Sequence, residues 1–231
     1  MSELLQIGLV AEGHTDFVII EAALSAILDC SFVLTLLQPE PTQPTLGGGW
    51  SGVLKWCHET SKRHSGVLEN DPTLATYDLL IIHLDVDVSG FDYSHCGHGF
   101  VLLAREQGWE ALPCNLPCPP VCDSVNALTV VLESWLGTVT IGPHSVLCLP
   151  AQSTGTWLAA SVLSADHQLL QNAQCDPTVE DRLAQLPKGQ RIKKSKREYQ
   201  RFAQQVTEKW AVVKTKCSQA EAFENGIRAA L

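Results

Sequence analysis

The sequence predicts an α/β protein, a parallel, doubly wound sheet flanked by helices, with a helical C-terminal extension. Three observations lead there. Strand-like and helix-like patterns alternate through the first 165 residues, the order of consecutive βαβ units. The segment YDLLIIHLDVD (77–87) is a nearly continuous apolar run, as expected of a strand covered on both faces. From about residue 178 onward no strand pattern recurs. We therefore divide the chain into an α/β domain, residues 1–165, and a helical extension, 166–231, that carries a basic segment.

The elements follow in order. LQIGLVA (5–11) reads as a buried strand, and residues 15–28 as a helix with Thr15 as its N-cap. SFVLTLL (31–37) is a second strand. QPEPTQPTLGGGW (38–50) suits neither element, because its prolines and glycines break both. Residues 50–65 look helical, and 77–87 is the third strand. A polar, glycine-containing stretch leads to a helix over 123–136, a strand at HSVLCLP (144–150) and a helix at STGTWLAASVL (153–163). The tail reads as a short helix, the basic segment, and one long helix from about Glu198 to the C-terminus.

The chain has 231 residues, 45% of them hydrophobic and 18% charged, which is a globular composition and excludes a disordered chain. No apolar run approaches the ~20 residues needed to cross a bilayer. The start MSELLQIG has no basic region before its apolar run, so no signal peptide is expected and the chain is expected to be cytoplasmic. The nine cysteines are then expected to be reduced thiols, without a structural disulfide. The formal net charge of −9 argues against indiscriminate nucleic-acid binding, yet seven of the sixteen Lys and Arg residues lie between Lys188 and Arg201. An acidic body with one basic segment is compatible with a metal site and a phosphate-contacting arm.

The acidic residues stand at telling places. In a doubly wound sheet, ligands sit beyond the carboxyl ends of the strands. Glu12 falls at that end of the first strand, and Asp85 and Asp87 at that end of the third. In an extended DVD segment, residues two apart share a face, so the two aspartates would point together. Asp16, one turn into the first helix, can reach back to the same place. Clustered carboxylates repel one another and raise one another's pKa values; a divalent cation relieves the repulsion. Mg²⁺ and Mn²⁺ suit oxygen donors of this kind. Glu12, Asp16, Asp85 and Asp87 are the candidate metal ligands, with Glu12, Asp85 and Asp87 catalytic; Glu12 would hold metal or serve as general acid or base.

VAEGHTD followed by IIHLDVDVSG resembles the Toprim domain, whose hallmark is a Glu after the first strand and an Asp-x-Asp after the third. The spacing of Glu12 and Asp16 is most similar to the nucleases of the overcoming-lysogenization-defect family and related small stand-alone Toprim proteins. The resemblance covers roughly residues 5–150. It implies a Mg²⁺- or Mn²⁺-dependent nuclease, working beside an ATPase partner in bacterial defence against phage. The segment LPAQSTGTWLAASVL departs from the pattern: Ser153, Thr154 and Thr156 stand where acidic residues often precede Trp-Leu. The other reading the resemblance allows is a non-catalytic Toprim module that binds a partner ATPase or nucleic acid.

In PKGQRIKKSKREYQR (187–201), Lys193, Lys194 and Arg197 are the candidate nucleic-acid contacts, DNA or RNA, and a lysine there could stabilise charge on the scissile phosphate. A solvated helix start is the plain alternative. His95, Cys96 and His98, with Cys114, Cys118 and Cys122, hold metal-ligand residue types, but their spacing lacks a Cys-x-x-Cys knuckle and no zinc is expected. Asp92 reads as a solvated loop acid. GGGW (47–50) reads as a flexible loop beside the active edge; no Gly-Lys-Ser/Thr is present for a phosphate-binding loop. No Gly-x-Ser-x-Gly surrounds Ser153.

Overall fold

Strands whose residues are apolar on both faces must be covered twice, and this chain does so. The computed structural model describes residues 4–39 and 47–231. The proline-rich residues 40–46, expected to break both elements, and residues 1–3 lie outside that range. In chain order the elements are β1 (Leu5–Val10), α1 (His14–Ile27), β2 (Phe32–Gln38), α2 (Trp50–Arg63), β3 (Gly66–Val67), β4 (Leu79–His83), α3 (His98–Gln107), α4 (Cys122–Leu136), β5 (Val139–Thr140), β6 (Ser145–Cys148) and α5 (Thr154–Val162). The tail carries α6 (Val179–Gln185), α7 (Lys196–Glu208), α8 (Trp210–Lys216) and α9 (Ser218–Ala230).

The main sheet runs β2-β1-β4-β6, with every pair parallel. Alternation sorts its side chains. Ile7, Leu9, Leu79, Ile81, Val146 and Cys148 face α1, α5 and the tail helices. Val10, Leu80 and Ile82 face α2 and α4. Gly8 shares this second face. A Cβ there would stand 2.9 Å from both Leu37 Cδ1 and Leu80 Cδ2, so a larger residue would have to push these two side-chain ends aside. The chain leaves β1 for β2 on one side and returns to β4 on the other. The carboxyl ends of β1 and β4 therefore flank the switch point where a doubly wound sheet opens a crevice.

The elements expected from sequence are present, with several changes of boundary. α1 begins at His14 and its N-cap is Gly13, not Thr15; Phe17 N–H already bonds to Gly13 O at 3.2 Å. Asp16 lies in the first turn, where the helix dipole favours a carboxylate. Gln38 belongs to β2 and not to the loop that follows, and α2 starts at Trp50, as expected.

The third strand is shorter than 77–87. It ends at His83, paired with Cys148, and residues Val86–Gly90 form a 3₁₀ turn. Beyond Cys148 the Leu84 and Val86 N–H groups still donate to Cys148 O and Pro150 O, but Pro150 has no N–H to return, and the Asp87 N–H donates to Gln152 O. The expectation that Asp85 and Asp87 share an extended face is thereby corrected. α3 and the small β3–β5 pair lie in stretches read as loop.

The single long C-terminal helix is three helices, broken at Lys209 and Cys217. The breaks let Trp210 and Phe223 both turn onto Trp157 of α5, at ring-centroid distances of 5.3 and 5.7 Å. α7 lies along α1, with Thr207 Oγ1 donating to Ala22 O at 2.8 Å. Among the described residues, no helix is long and apolar enough to cross a membrane.

The cysteine expectation is corrected at one pair. Cys118 and Cys175 form a disulfide, their Cα atoms 5.5 Å apart and 57 residues apart in sequence. The other seven cysteines are free. The two partners lie in separate loops, one before α4 and one before α6, and only the fold brings them together. Closing a loop of this size restricts the unfolded chain, so reduction or Cys175→Ser should lower stability by about 2–4 kcal/mol. Denaturant titrations with and without reductant check this; identical midpoints would show that the bond contributes nothing.

Candidate metal centre

Glu12 lies two residues beyond β1 and Asp85 two beyond β4, strands hydrogen-bonded to each other. The Asp85 N–H donates to Glu12 Oε1 at 2.8 Å, so the backbone of one strand end fixes the carboxylate of the other. Gly49 N–H donates to Glu12 O at 2.8 Å, which places the glycine-rich stretch 47–49 against the same edge, as expected. His83, the last residue of β4, is fully buried with Nε2 3.0 Å from Asp85 Oδ1. Glu12, His83 and Asp85 form a group able to hold a metal ion, each offering a ligand atom within 4.8 Å of the others.

α5 closes the centre from above. Ser153 caps the helix, its Oγ accepting from Gly155 N–H at 3.2 Å. The Thr154 N–H donates to Asp85 Oδ1 at 3.2 Å and its hydroxyl to Asp16 Oδ1 at 2.7 Å. Asp16 and Asp87 stand outside the three-residue group, and both act on it through charge. Asp16 is buried and Asp87 half-buried.

The electrostatics are those of crowded acids. Burial first, then Asp85, holds the Glu12 carboxyl well above the usual carboxylate range, with His83 opposing. Burial, then Asp16 and Asp87, does the same to Asp85. Burial raises Asp87 from 3.8 to about 6, with Lys194 opposing and Glu180 adding to the rise. Between those two pH values the folded chain keeps a proton that the unfolded chain releases, so this group's contribution to stability falls as pH rises from 3.8 to about 6 and is constant above. Metal-free Asp87→Asn should therefore match the wild type near pH 4 and become the more stable of the two by pH 7. Denaturation in a chelator at both pH values checks this, and a pH-independent difference would contradict it.

Of the three basic candidates, Lys194 reaches the acids. Its Nζ pairs with Glu180 Oε2 at 2.7 Å. Burial pulls the Lys194 pKa down, but Glu180, Asp85 and Asp16 outweigh it and raise it. Lys193, Lys194 and Arg197 are all exposed. Asp92 is an exposed loop acid that caps its own turn, accepting from Ser94 N–H at 2.7 Å.

Sequence reasoning missed His83, Thr154, Glu180 and Tyr199. His83 had a signal: an imidazole in an otherwise apolar strand, two residues before Asp85. Glu180 had none. It sits over Gly155, where its side chain fills the space a Cβ would take, and Tyr199 donates to its Oε1 at 2.8 Å. Compared with known proteins, the chain matches no protein-family model, no curated protein and no solved structure.

Proposed function

We propose that the chain is a divalent-metal-dependent nuclease of Toprim type, hydrolysing phosphodiesters at the crevice between β1 and β4. The observation that carries this reading is the convergence of Glu12, His83 and Asp85 at the switch point of a parallel sheet. Three buried or half-buried acids with raised pKa values are unfavourable without a cation, and perturbed carboxylates in a cleft are a functional signature.

The donor set fits a divalent ion. Two carboxylates suit Mg²⁺ or Mn²⁺, and an added imidazole favours Mn²⁺ over Mg²⁺. Glu12 and Asp85 would hold it with His83, and Asp16 and Asp87 would add negative charge around it. Bound there, the ion would polarise a phosphoryl oxygen and lower the pKa of water. The chain's own groups supply the rest. Glu12, whose pKa burial raises, would hold the ion or serve as general acid or base. Thr154 fixes Asp16 and Asp85 through its hydroxyl and N–H. Lys194 would meet charge on a phosphate, and Lys193 and Arg197 would hold the strand beyond it. An ATPase partner, and with it a role in defence against phage, is proposed on the resemblance of the two motifs alone.

One observation favours the non-catalytic reading. Thr154 and Lys194 already satisfy part of the carboxylate cluster, which reduces its need for an ion. Cleavage of single- and double-stranded DNA and RNA with Mn²⁺ or Mg²⁺, with and without an ATPase partner, separates the two. Cleavage is the expected result. Binding without cleavage under every condition would leave the binding module.

A further inference from the structure

The basic segment is anchored at both ends. Ile192 is buried and its N–H donates to Leu183 O of α6 at 3.1 Å. Ser195 caps α7, its Oγ accepting from Glu198 N–H at 3.4 Å. Lys194 lies between these two fixed points, so its backbone cannot wander. Its ammonium is held by Glu180 Oε2, while Glu180 Oε1 accepts from Tyr199, one turn into α7. Glu180 in turn lies against Gly155, next to the Thr154 N–H that bonds to Asp85. A continuous series of contacts thus runs from the basic segment to the metal centre. Along it, Lys194 opposes the rise in the pKa of Asp85 and Asp87, and its partner Glu180 offsets part of that effect.

We propose that Lys194 is the built-in counter-cation of this centre: tethered by Glu180 and Tyr199, its ammonium neutralises the carboxylates in the ion-free chain, and a divalent ion binds in competition with it. The proposal rests on the metal reading and adds its regulation. A cluster of acids without an ion repels itself; one fixed positive charge at its rim relieves the repulsion and weakens the attraction for an ion by the same interaction. Tyr199 and Glu180 hold that charge back from the centre. Without the tether the ammonium would settle onto Asp85 and Asp87 and compete more strongly.

Mn²⁺ titrated calorimetrically into the metal-free full chain tests this. Lys194→Met should bind Mn²⁺ roughly 3- to 10-fold more tightly than wild type, as expected for removing one unit charge several ångströms away in a partly screened site. Glu180→Gln should bind it more weakly, Lys194→Arg about as the wild type does, and Asp85→Asn hardly at all. Metal-free Lys194→Met should melt below wild type, and saturating Mn²⁺ should close the gap. If Lys194→Met keeps wild-type affinity while Asp85→Asn loses binding, the counter-cation role is overturned and the metal reading stands. If the wild type binds no Mn²⁺, the metal reading falls and competition falls with it. The metal-free melting temperatures then decide the neutralising role alone, and an unchanged value for Lys194→Met would overturn it.

Discussion

Asp85→Ala should abolish divalent-metal binding and reduce phosphodiester cleavage by roughly 10³-fold or more, the scale on which loss of a central electrostatic group is felt. Asp85 is the residue on which the centre turns. It is 3% exposed, its Oδ1 lies 3.0 Å from His83 Nε2 and accepts from Thr154 N–H, and its own N–H orients Glu12. Asp16 and Asp87 stand outside the three-residue group, so neither occupies that position.

The effect on metal-free stability has two opposed parts. Removing a buried, repelled carboxylate stabilises the chain, while stranding the Thr154 N–H costs about 1–3 kcal/mol. Asp85→Asn separates them. It keeps an acceptor for Thr154 and removes only the charge, so it should melt above wild type in a chelator while binding no ion. Mn²⁺ titration, cleavage assays and thermal melts on both variants are the measurements. An Asp85→Ala protein that cuts as well as wild type would end the catalytic reading.

Trp157→Ala should lower stability by about 3–5 kcal/mol, the usual cost of emptying a fully buried aromatic site. Trp157 is completely buried in the face that α5 shares with the tail. Its ring meets Trp210 of α8 nearly edge-on, at 74°, and stands against Phe223 of α9. The indole Nε1 has no hydrogen-bond partner among the described residues, so its loss removes packing and strands no acceptor. Trp157→Phe should accordingly cost much less. Because Thr154, one turn earlier, holds Asp16 and Asp85, a loosened α5 should also weaken Mn²⁺ binding. Chemical denaturation measures the first effect and calorimetry the second. A loss below about 1 kcal/mol would show that the tail is held to α5 by other contacts.

Much of the centre was legible before any coordinates. A strand that ends in a glutamate, and a second that runs into Asp-x-Asp, can be located from hydrophobic patterning. The rule that ligands gather at the carboxyl ends of parallel strands then joins residues 73 positions apart. His83 was visible as an odd residue in an apolar run but had no assigned role, since whether a buried imidazole meets a carboxylate depends on the strand that covers it. Glu180 was invisible. Its place is decided by the space over Gly155 and by the hydroxyl of Tyr199, neither of which its local sequence encodes.

The alternation of strands and helices, the helical tail, and the placing of Glu12 and Asp85 at one edge are all legible in residue order. Each follows from apolar period and chain order, which are local properties. The folded structure set where β4 stops: Leu84 and Val86 still donate to Cys148 O and Pro150 O, but Pro150 has no N–H to return. The folded structure also decided the Cys118–Cys175 bond, the division of the last helix, and the seating of Lys194 beside the acids. These are contacts between segments far apart in the chain, set by packing and charge across the closed fold, and no local pattern carries them.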